Sequence, residues 1–412
     1  MARMESPGED RLDGMRQDTL DPAVFVTPEE DGRSTRVELF VEGRSVSRCW
    51  IVSQQIRLGR AVVRMDGIGG VGTEPAFRNR GYARRVLSAA IRAMEAGDAG
   101  LSMLYGIPNF YENFGYAQAG PEYLIEVEPS SGSGTPKRWT ARPATMADFE
   151  EIRRLYDLAI EDAIGAAVRK PNCYAWRRLQ EQLQHGDVQE CVLAISPSGE
   201  ARGYARRAEG YWAADVLGRD NPGWRVVGEV ISLDGEAARV LIDKGLARVA
   251  PLDPARHRGW LIAAPHDSAV ATAAEWMGHR LRRDEKASGG SMARLLDAYR
   301  LLRDAAPELA RRLSVSGCRL RRPLIVATPS AQVELSQEEA GLSVRPCANA
   351  AGGIARDVWT VSGQELVRAV LGEAVPDDVC RLQRTGLTQE AAEALRAMFP
   401  RRCSHMYLPD RY

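Results

Sequence analysis

The chain has 412 residues, enough for about two to four domains with a large buried core. Its 55 basic and 55 acidic residues leave no net charge, which argues against a nucleic-acid partner. The seven cysteines are scattered and form no CxxC pair, so neither disulfides nor a zinc site is expected and a cytoplasmic location is predicted. No apolar run reaches the roughly 18 residues of a membrane span, and the polar N-terminus lacks the apolar segment of a signal peptide, so no membrane partner is expected.

Two stretches rich in Ser and Gly, residues 130–136 and 284–291, divide the chain. They predict a first domain over 37–129, a linker over 130–137, a second domain over 138–284 and a third over 285–412. Residues 1–36 are polar and rich in Asp, Glu and Gly, so a flexible N-terminus is expected there.

In the first domain, strands are predicted over 50–55 and 61–65, followed by a glycine-rich strand that ends in an Arg-x-x-Gly-x-Ala loop, Arg78 to Ala83. A helix with apolar residues at helical spacing follows over 84–96. Gly81 lets the backbone approach a ligand, and the unpaired N–H groups that begin a helix attract anions. No GKS or GKT is present for a nucleoside triphosphate, so the pattern predicts a pyrophosphate site of another kind; a purely structural strand-turn-helix is the alternative.

A second block, residues 101–116, begins with a strand and continues into a short helix that holds Tyr111. It ends on a glycine turn at Gly115 and Tyr116. A packed tyrosine with a satisfied hydroxyl is the common structural role for such a residue.

Together the two blocks resemble the Gcn5-related N-acetyltransferase (GNAT) superfamily. The resemblance implies that the loop binds the pyrophosphate of acetyl-CoA, the cosubstrate, and that the preceding strand splays from its neighbour. It also implies that Tyr111 is the general acid that protonates the leaving thiolate. The residues that the resemblance assigns to acetyl-CoA are Val71, Gly72, Thr73, Arg78, Asn79, Arg80, Gly81, Tyr82, Ala83 and Asn109.

The second domain opens on a helix whose capping box is Thr145 with Asp148 and whose apolar stripe contains Phe149, Ile152 and Tyr156. Strands are predicted over 191–195, 201–205 and 226–231. This opening resembles a second GNAT module, but no Arg-x-x-Gly-x-Ala follows its strands. We therefore expect a degenerate duplicate that binds no coenzyme A and closes one side of the site.

For the third domain, a helix is predicted over 292–302, a strand over 341–346, and a strand leading into an amphipathic helix over 357–372. This region resembles the sterol-carrier-protein-like domain that closes the three-part acetyltransferases of the enhanced intracellular survival (Eis) family. The implied fold is mixed, α+β and α/β: two tandem GNAT folds with splayed sheets flanked by helices, then an α+β carrier-like domain. The resemblance further implies a homo-oligomer, such as a hexamer.

In that family an aromatic C-terminal residue enters the first domain and its carboxylate serves as the base. This sequence ends with Tyr412, which fits. A carboxylate desolvated in a closed pocket can accept the proton of an amine. A frayed tail is the structural alternative, and Glu74 and Glu112 are the next candidates for the base.

The resulting prediction is an N-acetyltransferase that transfers the acetyl group directly to a primary amine in a ternary complex. The alternative is a non-catalytic acyl-CoA or lipid sensor. The five histidines have no metal-ligand spacing, so no metal is expected, and His405 fits a core or surface role better than a site role. The family accepts aminoglycosides and lysine-type amines, so the partner is a small-molecule or peptide amine that the sequence does not identify. Two helices that usually roof the acceptor groove have no counterpart before Trp50.

Overall fold

The computed structural model describes residues 22–129, 138–184, 190–210, 216–339, 341–347, 356–377 and 387–412. The predicted linker over 130–137, Cys380 and His185 lie outside the described residues. Three sheets with helices packed against them make up the described chain, which confirms the predicted mixed α/β class.

The strands are numbered in chain order. The first sheet has the order β1-β2-β3-β4-β5-β15-β6, with β9 paired to β3; its strands are β1 (Ala23–Pro28), β2 (Ser34–Val41), β3 (Arg44–Leu58), β4 (Ala61–Thr73), β5 (Leu101–Gly106), β6 (Ala117–Gln118), β9 (Ile164–Ala167) and β15 (Gly290–Leu295). The second sheet has the order β14-β7-β13-β12-β11-β10-β8; its strands are β7 (Glu122–Val127), β8 (Thr140–Pro143), β10 (Cys191–Ile195), β11 (Ala201–Arg207), β12 (Trp224–Ser232), β13 (Gly259–Ala263) and β14 (Arg280–Asp284). The third sheet has the order β18-β17-β16-β19; its strands are β16 (Leu324–Ala327), β17 (Gln332–Glu338), β18 (Gly341–Pro346) and β19 (Asp357–Thr360).

The helices are α1 (Tyr82–Ala96), α2 (Phe149–Ala159), α3 (Tyr174–Gln184), α4 (Gly218–Asp220), α5 (Gly235–Val240), α6 (Leu246–Val249), α7 (Ala269–Trp276), α8 (Ala298–Ser316), α9 (Gly363–Val370) and α10 (Gln389–Met398). Shorter helical turns cover Pro75–Phe77, Tyr111–Phe114, Met146–Asp148, Leu241–Gly245 and Leu408–Asp410.

Several local predictions agree with these elements. The apolar stripe of α1 is buried, and the capping box of Thr145 with Asp148 forms ahead of α2. In α2 the predicted stripe, Phe149, Ile152 and Tyr156, faces the core. These signals depend on neighbouring residues along the chain, which is why the sequence alone carries them.

Two strands belong to a different sheet from the rest of the predicted domain in which they lie. Strand β7 lies within the predicted first domain but pairs with β13 and β14 of the second sheet. Strand β15 lies within the predicted third domain but stands between β5 and β6 of the first sheet. The predicted boundaries near 129 and 285 therefore cut across both sheets.

The helix predicted over 292–302 was wrong at its start. Gly290–Leu295 is the strand β15, and α8 begins only at Ala298, capped by Asp297, whose carboxylate accepts the Arg300 N–H at 2.8 Å. Met, Ala, Arg and Leu favour helices, but pairing on both edges of β15 overrides that weak preference.

The flexible segment expected as far as Arg36 was wrong from Ala23 onward. Strand β1 pairs antiparallel with β2, and the turn between them is held by Asp31, whose carboxylate accepts the N–H groups of Arg33 and Ser34. Five of the six residues of β1 are exposed, so it shows no buried alternation that the sequence could reveal. Residues 22–49, the described part of the chain before Trp50, contain strands and turns but no helix.

One large core joins the third region to the first sheet. Met65 of β4 and Leu101 of β5 share it with Leu301 of α8 and Trp359 of β19. The chain after α10 then runs back across the second sheet, where Leu408 is buried with Trp224 and Leu261. This packing fixes the C-terminal segment between the first two sheets.

Candidate active site

The site begins where β4 and β5 separate. The two parallel strands pair at Met65↔Leu101, Asp66↔Ser102 and Gly67↔Met103, and no pairing continues beyond Gly67 although β4 runs on to Thr73. The register of β4 with β3 shifts in the same stretch, which is a bulge, and Gly70 there has φ 58°. A bulge bends its strand. The backbone of β4 after Gly67 therefore faces a gap instead of a neighbouring strand.

A cavity of about 500 Å³ occupies this gap. One wall is the diverging part of β4, with Gly69, Gly70 and Val71, and another is the end of β5 with Tyr111 beyond it. The second module and the C-terminal segment close the remaining sides. Both predicted catalytic tyrosines, Tyr111 and Tyr412, line this one cavity.

Tyr412 lies directly against β4. A Cβ atom at Gly67 would stand 1.9 Å from Cζ of the Tyr412 ring, and one at Gly69 would stand 3.2 Å from the Tyr412 Cβ. The phenol donates a hydrogen bond to Sδ of Met65 at 3.3 Å. Glycine at 67 is therefore what makes room for the ring in the gap between β4 and β5.

Arg411, the residue before Tyr412, fixes the C-terminal segment through Glu122 of β7 and Tyr105 of β5. Both terminal nitrogens of Arg411 donate to the carboxylate of Glu122, each at 2.9 Å, and its guanidinium lies 4.3 Å from the centre of the Tyr105 ring. Two parallel charge-assisted hydrogen bonds fix position as well as charge. Because Tyr412 is the next residue, this contact sets where it enters the cavity.

A second buried ion pair holds the same segment to the second module. Arg169 donates to Asp410 at 2.8 Å and also contacts the carboxylate of Glu229. Its guanidinium stacks 3.8 Å from the centre of the Tyr156 ring, and the Tyr156 hydroxyl donates to Asp410. A buried charge requires such full pairing. No local sequence pattern indicates that Arg169 is buried at this site, because its partners lie 60 and 241 positions away in the chain.

Tyr111 is held in a cluster of aromatic rings. It starts the turn Tyr111–Phe114, is 8% exposed, and packs edge-on against Phe110 and Tyr116. Burial raises the pKa of Tyr111 to about 12. The phenol therefore keeps its proton at neutral pH, as a proton donor must.

The residues predicted to bind acetyl-CoA form one continuous segment, with one exception. Val71 lines the cavity, Gly72 and Thr73 complete β4, and the segment Arg78 to Ala83 leads into α1. Asn109 lies apart from this segment, on the loop after β5, and its N–H donates to Oγ of Ser288 at 2.7 Å.

The start of α1 has the features of an anion site. Gly81 is the N-cap in the left-handed conformation, φ 77°, and no described side chain caps the helix. Asn79 also has positive φ, 61°. A Cβ atom at Gly81 would meet no protein atom within 4 Å, so the backbone conformation, rather than crowding by the protein, is what favours glycine. Arg80 stacks 5.3 Å from the centre of the Phe77 ring, which keeps it beside the turn.

The corresponding helix of the second module differs in this respect. Asp234 caps α5 and its carboxylate accepts the Ala237 N–H at 2.9 Å. A carboxylate already satisfies the helix start there, so the position offers no place for a second anion.

Glu74 and Glu112, the two alternative candidates for the base, do not line the cavity. Glu74 pairs with Arg44 at 2.6 Å, and Glu112 accepts a hydrogen bond from Ser288. His405 is buried in the core, 4% exposed, and burial holds its pKa well below the ordinary value. Among the described residues, no group of three or more His, Cys, Asp or Glu side chains is arranged to bind a metal.

Comparison with known proteins agrees with this arrangement. Residues 27–119 match the sequence profile described as "Acetyltransferase (GNAT) domain". The match spans the strands around the gap, α1 and Tyr111, and it supports acyl transfer as the general chemistry of this region. No curated protein sequence matches the chain.

Solved structures are similar over almost the whole length. A GCN5-related N-acetyltransferase from Kribbella flavida is 19% identical, with a TM-score of 0.59, over 93% of this chain and 88% of that one. A GCN5-related N-acetyltransferase from Anabaena variabilis is 16% identical, with a TM-score of 0.60, over 92% and 89%. Eis1 from Mycobacterium abscessus is 17% identical, with a TM-score of 0.56, over 92% and 91%. At these identities the likeness shows that the fold is shared. Within the described residues, no helix has the length and apolar character needed to cross a membrane.

Proposed function

We propose that the protein is an acetyl-CoA-dependent N-acetyltransferase that transfers the acetyl group directly to a primary amine. The observation that carries the proposal is the placement of Tyr111 and Tyr412 on one cavity, at the point where β4 and β5 diverge. Part of the cavity lining, including the diverging stretch of β4 and Tyr111, belongs to the residues that match the GNAT profile.

Acetyl-CoA would supply the thioester that the amine attacks. We assign its pyrophosphate to the segment Arg78 to Ala83, because the start of α1 there has no side-chain cap and Gly81 has the positive φ of an anion-binding turn. Val71, Gly72 and Thr73 lie on the path from this segment to the cavity. One coenzyme A per chain is expected, since Asp234 fills the corresponding helix start in the second module.

Tyr111 is proposed as the general acid, because its raised pKa keeps it protonated and it lines the cavity. The carboxylate at Tyr412 is proposed as the base that accepts the amine proton. The ion pairs of Arg411 with Glu122 and of Asp410 with Arg169 support this role, because they fix the position of the two residues before Tyr412. Backbone N–H groups of the diverging β4 would polarise the carbonyl.

Direct transfer is favoured over a cysteine relay. A relay needs a thiolate that reaches the substrate. Cys49 is fully buried, burial raises its pKa to about 12, and no described cysteine lines the cavity.

The test is release of coenzyme A from acetyl-CoA with a panel of primary amines, followed by mass spectrometry of the product. Amine-dependent release and an acetylated amine are expected. A protein extended by a short peptide after Tyr412 should lose most of this activity yet still bind acetyl-CoA, whereas the same peptide placed before Met1 should have no effect. Binding of acetyl-CoA with no transfer to any amine would favour the sensor alternative.

We further infer that the third region is the carrier-like domain implied by the family resemblance and that it helps to form a homo-oligomer. The core that α8 shares with β4 joins this region to the first sheet of the same chain. The proposed assembly of chains rests on the family resemblance. Light scattering at micromolar concentration tests the assembly, and a monomer would contradict it.

A further inference from the structure

The wall of the cavity that belongs to the second module is unusually rich in arginine. It is built from α3 and from the end of β11, and it contributes Arg178, Arg206, Arg207 and Glu209. The other charged groups among the described residues lining the cavity are the guanidinium of Arg411 and the C-terminal carboxylate of Tyr412. The lining therefore presents more guanidinium groups than carboxylates.

Arg411 adds no free charge, because Glu122 neutralises it through two hydrogen bonds of 2.9 Å. The three arginines of the wall formed by α3 and β11 also have glutamates within 4 Å, and they differ in how closely each is paired. That wall faces the same cavity as Tyr412, and α3 packs against the C-terminal turn Leu408–Asp410.

Arg206 is the central residue of this wall. Its side chain is only 2% exposed, yet its carboxylate partner, Glu209, lies 3.5 Å away and is shared with Arg178 at 3.6 Å. Its other contacts are neutral acceptors, the carbonyl of Ala175 at 3.1 Å and the side chain of Gln182 at 3.3 Å.

Another buried arginine of the protein is paired more closely. Arg169 has two carboxylates in direct contact, those of Asp410 and Glu229. Burial of a guanidinium is costly unless a nearby anion compensates it. By that standard Arg206, with one distant and shared carboxylate, has room for a further anionic partner.

Arg178 and Arg207 are the accessible members of the wall, with side chains 41% and 45% exposed. Each is oriented by a carboxylate that does not line the cavity: Glu181 at 2.7 Å from Arg178 and Glu190 at 2.8 Å from Arg207. Guanidinium groups held in this way present their remaining N–H donors in a fixed arrangement, which suits a carboxylate or a phosphate.

We propose that the acceptor is an amine that also carries an anionic group, a carboxylate or a phosphate, which binds Arg178, Arg206 and Arg207 while the amine faces Tyr412. This inference rests on the proposed function. Polycationic amines are disfavoured, because they lack the anionic group and would bring further ammonium groups beside three guanidinium groups.

The experiment compares acceptors that differ only in the anionic group. Lysine is compared with 1,5-diaminopentane, and O-phosphoethanolamine with ethanolamine, to separate carboxylate from phosphate; spermidine is the polycation. Two measurements are made on the full chain: kcat/KM for acetyl transfer, and the shift in Tm of the protein saturated with coenzyme A. At least one anionic acceptor should exceed the matched amine without an anionic group by about ten- to a hundredfold in kcat/KM, as expected for charge-assisted hydrogen bonds.

The variants Arg178→Gln and Arg207→Gln should reduce that ratio towards one. Arg280→Gln is the matched control, since Arg280 lies on β14, is 73% exposed and does not line the cavity. It should retain the full ratio. Arg206 is not substituted, because its burial makes misfolding a competing explanation.

The outcomes separate the inference from the proposed function. The inference is overturned if diaminopentane, ethanolamine or spermidine reacts and stabilises as well as the anionic amines, or if the arginine variants keep the ratio. The proposed function is overturned, and the anion subsite retained, if anionic amines raise Tm in an arginine-dependent way but no amine is ever acetylated.

Discussion

Substitution of Gly67 by alanine tests whether the Tyr412 ring occupies the gap between the strands. The added Cβ would stand 1.9 Å from Cζ and 2.1 Å from Cε2 of Tyr412, whereas carbon atoms in contact normally lie about 3.5–4.0 Å apart. The backbone of β4 is fixed by pairing with β3 on one side, so the ring has to move. Overpacking of this kind costs about 1–3 kcal/mol. We expect Gly67→Ala to lower the free energy of unfolding by that amount.

The same change should lower kcat by about a hundredfold or more, because the proposed base moves with its residue. Urea denaturation and acetyl transfer measure the two effects, and Gly235→Ala is the control, since its Cβ meets nothing within 4 Å. The decisive comparison is a double-mutant cycle with a chain that lacks Tyr412. There, Gly67→Ala should cost less than about 0.5 kcal/mol, since alanine also restricts the unfolded chain. An equal cost with and without Tyr412, or full activity in the single variant, would refute this account.

Three further predictions concern the assigned residues. Tyr111→Phe should lower kcat about a hundredfold or more with little change in acetyl-CoA binding, and a rate within a few-fold of the wild type would contradict the assignment as general acid. Because the pKa of Tyr111 is raised to about 12, the wild-type kcat should show no alkaline loss attributable to this group below about pH 11, and a loss near pH 10 that depends on Tyr111 would contradict the raised pKa. Gly81→Val should abolish acetyl-CoA binding measured by calorimetry, because valine is strained at φ 77° and its bulk stands where the anion would bind, while circular dichroism stays native; binding as tight as that of the wild type would exclude this loop. Titration should give one coenzyme A per chain. Two equivalent sites per chain would contradict the interpretation of the second module as a degenerate duplicate.

The sequence by itself specified the parts of the site that are local. The Arg-x-x-Gly-x-Ala loop, the stripe of α1 and the capping box before α2 each depend on residues a few positions apart, and each appears where the sequence predicts it. The turn that holds Tyr111 is equally local, since Gly115 ends it with positive φ, 78°. Hydrogen bonding and helical periodicity act over one or two turns, so a single chain segment is enough to reveal them.

Sheet membership was decided only in three dimensions. Strands β7 and β15 have ordinary apolar sequences, and nothing in them indicates that each pairs outside its own module. Which edges meet depends on the whole set of strands that need partners, so a composition break such as residues 284–291 marks a flexible connection without marking a sheet boundary.

The electrostatics of the site were likewise a tertiary outcome. Arg169 meets Asp410 across 241 positions, and Arg411 meets Glu122 across 289. Arg206 reads in the sequence as one of many arginines, and only burial beside a distant, shared carboxylate distinguishes it. A charge acquires a role from the dielectric and the partners around it, and both exist only once distant segments pack together, whereas the loop and helix signals are present in the chain before it folds.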